Sequence, residues 1–133
     1  MLISKKLEKK EYINMDLKLI KIADRGNDNE RLIMRAVRKC NLNEYIVLDT
    51  TYDEEGIVSN KHRHVYIMPN IDVNEGDFIW LYTREGRYHT YNNNSNTITH
   101  NIYWGLDIHV WNNDGDKAYL IHYDDWNSIE SRG

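Results

Sequence analysis

Tyr82, Arg84, Arg87, Tyr88, Tyr91, Tyr103 and Trp104 cluster in the chain around a stretch rich in asparagine (Asn92, Asn93, Asn94, Asn96, Asn101). Tyrosine, tryptophan and arginine are the residues that carry most protein–protein contacts, because each joins a large apolar body to a polar tip. The same mixture can stack sugars or single-stranded bases. These seven residues are the candidate binding set.

A second constellation is His62 with His64. Two residues apart on a strand they share a face, where both rings could reach one ion. A third ligand, such as His109, His122 or Asp107, would have to converge from elsewhere. With one, the site reads as a metal-dependent hydrolase. Without one, His62-Arg63-His64 beside Lys61 is the polar start of a strand.

The oxygen-rich run Asn112-Asn113-Asp114-Gly115-Asp116 suggests calcium only at first sight. Aligned on the EF-hand loop with Gly115 at its sixth position, the first position is Val110 and the twelfth Ile121, and neither can ligate. Turn chemistry explains the run better. Asn112 and Asn113 can hydrogen-bond local backbone, Gly115 supplies a left-handed conformation, and Asp116 can accept turn N–H groups. Trp111 before it can close one end of a core. The tracts Asp53-Glu54-Glu55-Gly56 and Asn74-Glu75-Gly76-Asp77 fail the same calcium test.

No G-x-S-x-G, Walker A, H-E-x-x-H or G-x-G-x-x-G pattern is present. Asp124 and Asp125 are paired acids beside Trp126, placed as a solvated end beyond the last strand. Cys40 is the only cysteine, so it forms no internal disulfide and no cysteine-based zinc site; it reads as a small buried apolar residue in a reducing compartment. The expectation is a protein without catalytic activity, cofactor or metal.

The elements that must position these residues follow from composition and pattern. The chain has 133 residues, one domain's worth, long enough to bury a core without staples. Ten Tyr and 4 Trp stand against a single Phe, a balance suited to sheets and contact surfaces. No apolar run approaches the ~20 residues of a membrane helix. The N-terminal MLISKKLEKKEY has lysines but no apolar segment behind them, unlike a secretory signal, so a cytoplasmic location is expected.

Net charge is −4, unevenly spread: residues 1–39 carry 11 Lys/Arg and 6 Asp/Glu, and residues 40–133 carry 6 and 15. The acidic majority disfavours a nucleic-acid surface on the body of the domain, while the basic head could meet phosphate or an acidic partner.

Along the chain, Leu17, Leu19 and Ile22 lead into the turn cluster Asp24–Asn29. Leu32 to Val37 fits a helix or a strand equally well. Tyr45–Leu48, Val65–Met68 before Pro69, and Phe78–Tyr82 read as strands. Ile108–Trp111 and Ala118–Ile121 read as the two limbs of a hairpin around the Asn-Asp-Gly turn. Tyr91 to Tyr103 reads as a long surface loop or a ragged edge strand. Short strands separated by turns indicate a β-sandwich or barrel.

Three of these segments resemble lamin tail domains in kind and order. Asn43-Glu44-Tyr45-Ile46-Val47-Leu48 is similar to the family's N-E-Y-V-x-[IL] strand. Residues 65–82 (VYIMPNIDVNEGDFIWLY) are similar to its [YF]-x-[FL]-P segment and the G-[DE]-x-[VI]-x-[VL] strand that follows. Residues 108–120 (IHVWNNDGDKAYL) are similar to its W-N-N-x-G-D-x-[AV]-x-L hairpin, the most specific of the three. The resemblance covers about residues 30–125, lacks a coiled-coil rod and a nuclear signal, and so looks like the prokaryotic members. It implies an immunoglobulin-like β-sandwich in which Leu32 to Val37 is an early strand.

Together these readings divide the chain into a basic arm (1–16), a lamin-tail-like β-sandwich (17–126) and a tail (127–133). The function expected is a non-catalytic interaction module that binds another protein through the loop-rich end near Tyr82–Trp104. The alternatives are a nucleic-acid-associated module using the basic arm and the hydrolase centred on His62 and His64.

Overall fold

Short β-rich runs form the strands of the computed structural model, which describes residues 15–50, 64–111 and 115–132. In chain order the strands are β1 (Leu17–Ala23), β2 (Arg31–Ala36), β3 (Cys40–Asn41), β4 (Tyr45–Thr50) and β5 (Val65–Ile67). They continue with β6 (Asp72–Val73), β7 (Phe78–Tyr82), β8 (His89–Asn92), β9 (Ile98–Tyr103) and β10 (Lys117–His122). The only helical element among them is a single 3-10 turn, Leu42–Glu44. No helix among the described residues is long and apolar enough to cross a membrane.

The strands form a five-stranded sheet in the order β1-β2-β7-β9-β8, a three-stranded sheet β10-β4-β5, and the small pair β3-β6. One core joins them: Leu32, Met34, Ile79, Leu81 and Ile102 from the larger sheet meet Tyr45 and Val47 from the smaller. This is an all-β sandwich, and neither sheet closes into a barrel. The helix-or-strand ambiguity at Leu32 resolves as β2, because Leu32, Met34 and Ala36 face the core at a period of two. Val37 lies just beyond it.

Two expectations are corrected. Residues 91–103 are not a surface loop: β8 is an exposed edge strand, but β9 inserts between β7 and β8, parallel to β7. Its Thr99, His100 and Asn101 are all buried. They tolerate burial because each is hydrogen-bonded, Thr99 to Asn93, His100 to Asp77 and Tyr88, and Asn101 to the His89 carbonyl.

The second correction concerns the hairpin. Residues 118–121 do form a strand, β10, but its ladder partner is β4. Residues 108–111 are irregular. Their backbone is drawn instead to Glu30, a fully buried carboxylate. Glu30 Oε1 accepts from Val110 N at 2.9 Å and Trp111 N at 3.4 Å, and Oε2 accepts from Gly26 N at 2.8 Å. An N–H committed to a buried carboxylate cannot also serve a ladder. Trp111 is nonetheless buried and packs on Trp104 at 5.8 Å, closing the core as expected. Gly115 has φ +90°, the left-handed turn residue, and Asp116 beside it is half-buried. Asn112 and Asn113 lie outside the described residues.

Residues 1–14 of the basic arm also lie outside the described residues. Its last two are tied down: Met15 packs against the core, and Asp16 binds Arg38 at 2.6 Å and donates its N–H to the Tyr45 hydroxyl. Among the described residues after β10 there is no strand, and Trp126 and Ile129 are exposed.

Glu30→Gln keeps the side chain's shape but sets an amide NH2 against backbone N–H donors. Leaving buried donors unmatched costs about 1–3 kcal/mol, so urea unfolding should show a lower midpoint at unchanged slope. An unchanged midpoint would mean that the carboxylate does not anchor the 110–111 loop.

Candidate functional site

On the core side of the larger sheet β7 contributes Ile79 and Leu81; its other face carries Phe78, Trp80 and Tyr82, all half-buried. In register beside them stand Arg35, Ile33 and Arg31 of β2, and Thr99, Asn101 and Tyr103 of β9. A strand apolar on both faces belongs inside a layered structure or beneath a contact surface. The outer face of this sheet leaves Phe78, Trp80 and Tyr82 half-buried rather than covered.

Its rings and guanidinium groups interlock. Tyr82 and Tyr103 stack at 4.9 Å and 14°. The Arg84 guanidinium lies 4.9 Å from the Tyr82 ring and 5.3 Å from Tyr103. Arg31 lies 4.6 Å from Trp80 and 5.8 Å from Tyr82, and its Nη1 pairs with Asp24 at 2.7 Å. His89 stacks on Tyr103 at 6.0 Å, and Tyr91 meets the edge of Trp80 at 6.2 Å. Cations over aromatic faces gain from the ring quadrupole. Backbone bonds fix the assembly: Trp104 N, Gly105 N and Leu106 N donate to the carbonyls of Tyr82, Arg84 and Thr83, and Arg84 Nε donates to Asp28 O at 2.8 Å.

Burial pushes the Tyr82 hydroxyl up, helped by Tyr103 and Tyr91 and only partly opposed by Arg31 and Arg84. It therefore remains a neutral hydrogen-bonding group. A shallow, mostly apolar groove of about 290 Å³ adjoins the ladder, walled by Ile20, Lys21, Ile33, Phe78, Trp80 and Tyr91.

Of the seven residues expected to bind, Tyr82, Arg84, Tyr91 and Tyr103 belong to this face. Arg87 is exposed on the loop before β8. Trp104 turns inward, its ring 5.5 Å from Tyr66 and 6.3 Å from His64. Tyr88 belongs to a separate hydrogen-bonded chain. Its hydroxyl donates to His100 Nδ1 at 2.9 Å, and His100 Nε2 donates to Asp77 Oδ2 at 2.9 Å; the acceptor-only carboxylate assigns that tautomer. Asp77 also accepts from Asn74 N and Ile98 N. Burial together with the Asp77 charge raises the Tyr88 hydroxyl, the opposite of what a nucleophile needs. The chain clamps the β8–β9 hairpin to the turn before β7.

Of the histidine pair, only His64 can be placed. His62 lies outside the described residues. His64 donates its backbone N–H to Asp49 at 2.6 Å, and its Nδ1 lies 3.3 Å from the same buried carboxylate. His122 stands against the Tyr45 ring and Glu44. Among the described residues no three His, Cys, Asp or Glu side chains form a group able to hold a metal. Cys40 is half-buried, and its thiol is pushed up to about 11 by desolvation and by the charges of Asp16 and Glu44.

Arg31, Trp80 and His89 were not singled out from the sequence. The signal lay in FIWLY, whose outward members are as apolar as its inward ones. No protein-family model, curated protein or solved structure matches this chain.

Two outcomes test this geometry. A Cβ on Gly86 would sit 2.4 Å from the Tyr103 ring, so Gly86→Ala must displace that ring. Near-ultraviolet circular dichroism should lose tyrosine signal while the far-ultraviolet spectrum is kept. For Asp77, burial alone would raise the carboxyl, but hydrogen bonds from His100, Asn74 and Ile98 outweigh it and hold it below its ordinary value. Its contribution to stability is thus complete above the usual carboxylate range, and is lost as pH falls through the lower folded value. Urea midpoints between about pH 5 and pH 2 should fall less steeply for Asp77→Asn than for the native protein.

Proposed function

We propose that this protein is a non-catalytic binding module that recognises another protein through the outer face of its five-stranded sheet, and that the partner surface is acidic. One observation carries the reading. The chain has a net charge of −4, yet β1, β2, β7, β8 and β9 contain no Asp or Glu at all. Lys18, Lys21 and Arg35 are exposed on those strands, and Arg31 and Arg84 are fixed over the rings. A basic, aromatic face on an acidic body selects partners by charge and offers rigid anchors for contact.

The ring geometry favours a protein over a nucleic acid. Base-stacking platforms present free ring faces. Here Tyr103 is stacked by both Tyr82 and His89, and Arg31 and Arg84 lie over Tyr82. What is left to a partner is ring edges, hydroxyls and cations. The resemblance to lamin tail domains implies a sandwich module suited to binding, and by itself favours neither protein nor nucleic acid, since some lamin-tail proteins bind DNA.

The test is a pull-down of the full chain from its source cells, with and without nuclease, alongside the double variant Lys21→Glu/Arg35→Glu. The expected result is a partner that survives nuclease and is lost by the variant, with affinity reduced at least ~10-fold, or about 1.4 kcal/mol. Recovery that vanishes with nuclease would overturn the reading and put the nucleic-acid alternative in its place. A nuclease-resistant partner that binds the variant equally well would remove this face from consideration.

A further inference from the structure

The smaller sheet has an outer face of opposite character. On β4, Tyr45, Val47 and Asp49 point into the core, so Ile46 and Leu48 point out. The ladder sets Leu48 between Tyr119 and Val65, and Ile46 between Ile121 and Ile67. The result is two adjacent rows of three side chains without a charge among them. Val65 is 53% exposed, Ile67 63%, Tyr119 36% and Ile121 42%. The run Tyr45-Ile46-Val47-Leu48 is apolar on both sides, the pattern of a strand covered on both faces.

We infer that this face is the interface of a homodimer, in which two copies pack their β10-β4-β5 sheets face to face. The patch is self-complementary: a two-fold axis through its centre lays an uncharged surface on an identical one, so no like charges are forced together within it. Each copy contributes apolar surface on the order of 400 Å², within the roughly 300–600 Å² of the largest patch on a typical monomer, a patch that is often functional. Two such patches with their rims, Lys117 included, bury roughly 1,000–1,200 Å², close to the lower limit for a specific interface and below that of an obligate dimer. An interface of this size makes the dimer reversible rather than obligate. It leaves the basic aromatic face free on each copy, which would give the assembly two binding surfaces.

Sedimentation equilibrium of the full chain from about 1 to 300 μM tests this directly. The expected mass rises with concentration from the 15.9 kDa monomer toward twice that value. Ile67→Lys and Ile121→Lys should each weaken association at least ~10-fold while keeping the native circular dichroism and urea midpoint, because both side chains are already exposed. Trp80→Ala, on the opposite sheet, should dimerise like the native chain. A monomer throughout the range overturns the inference, as does a dimer that survives both lysine variants. A dimer abolished by Trp80→Ala would move the interface to the other sheet and overturn it too. These results are independent of whether the basic face binds an acidic protein.

Discussion

Glu30 is the constraint on which the rest of the architecture depends. A carboxylate fully removed from water is costly unless its lone pairs are satisfied, and here the backbone N–H groups of Gly26, Val110 and Trp111 donate to it. The two oxygens tie the Gly26 turn to the loop at Val110–Trp111. The residue's own backbone N–H bonds to Asn27 O, and its carbonyl accepts from Thr83 N. One residue thus ties together the β1–β2 turn and the entry of Trp111 into the core through its side chain, and the end of β7 through its backbone. The ring–guanidinium ladder depends on the same point, because Arg31 follows Glu30 directly and Arg84 follows Thr83.

Buried acids recur as loop anchors. Asp77 gathers Asn74, Ile98 and His100, and Asp49 holds the start of β5 through His64. Such anchors draw negative charge inward at defined points, while the strands of the larger sheet carry Lys and Arg but no acid, Asp24 meeting Arg31 from the adjoining turn. Division of labour between the two sheets follows: one outer face is basic and aromatic, the other aliphatic and uncharged. Neither character is visible from the net charge of −4.

Much of the sandwich was legible in residue order. Tyr45–Leu48, Val65–Ile67 and Phe78–Tyr82 carry enough β-branched and aromatic residues to read as strands, and they are strands. β9 was not legible, because Thr99-His100-Asn101 is polar in type and becomes core only through partners at Asn93, Asp77, Tyr88 and His89. The Ile108–Trp111 segment misled in the opposite way. Its β-rich composition is real, but Glu30, far upstream, claims its N–H groups. Within the candidate site, Tyr82, Arg84, Tyr91 and Tyr103 were evident by type. Arg31 was not, since it joins them only when β2 pairs with β7.

The insertion of β9 between β7 and β8 bears on the order of folding. A strand cannot slip into a ladder whose two sides are already closed. The β8–β9 hairpin, organised by Asn93 and its bonds to Ser95 and Thr97, is local, and hairpins form within microseconds. Docking that preformed hairpin onto β7 in parallel requires the chain to loop back through residues 83–88, a slower, less local event. The closure of residues 110–111 onto Glu30 spans 80 positions of sequence. Its loop-closure cost is accordingly larger than that of the Asn93-centred hairpin, whose contacts lie within a few positions of one another.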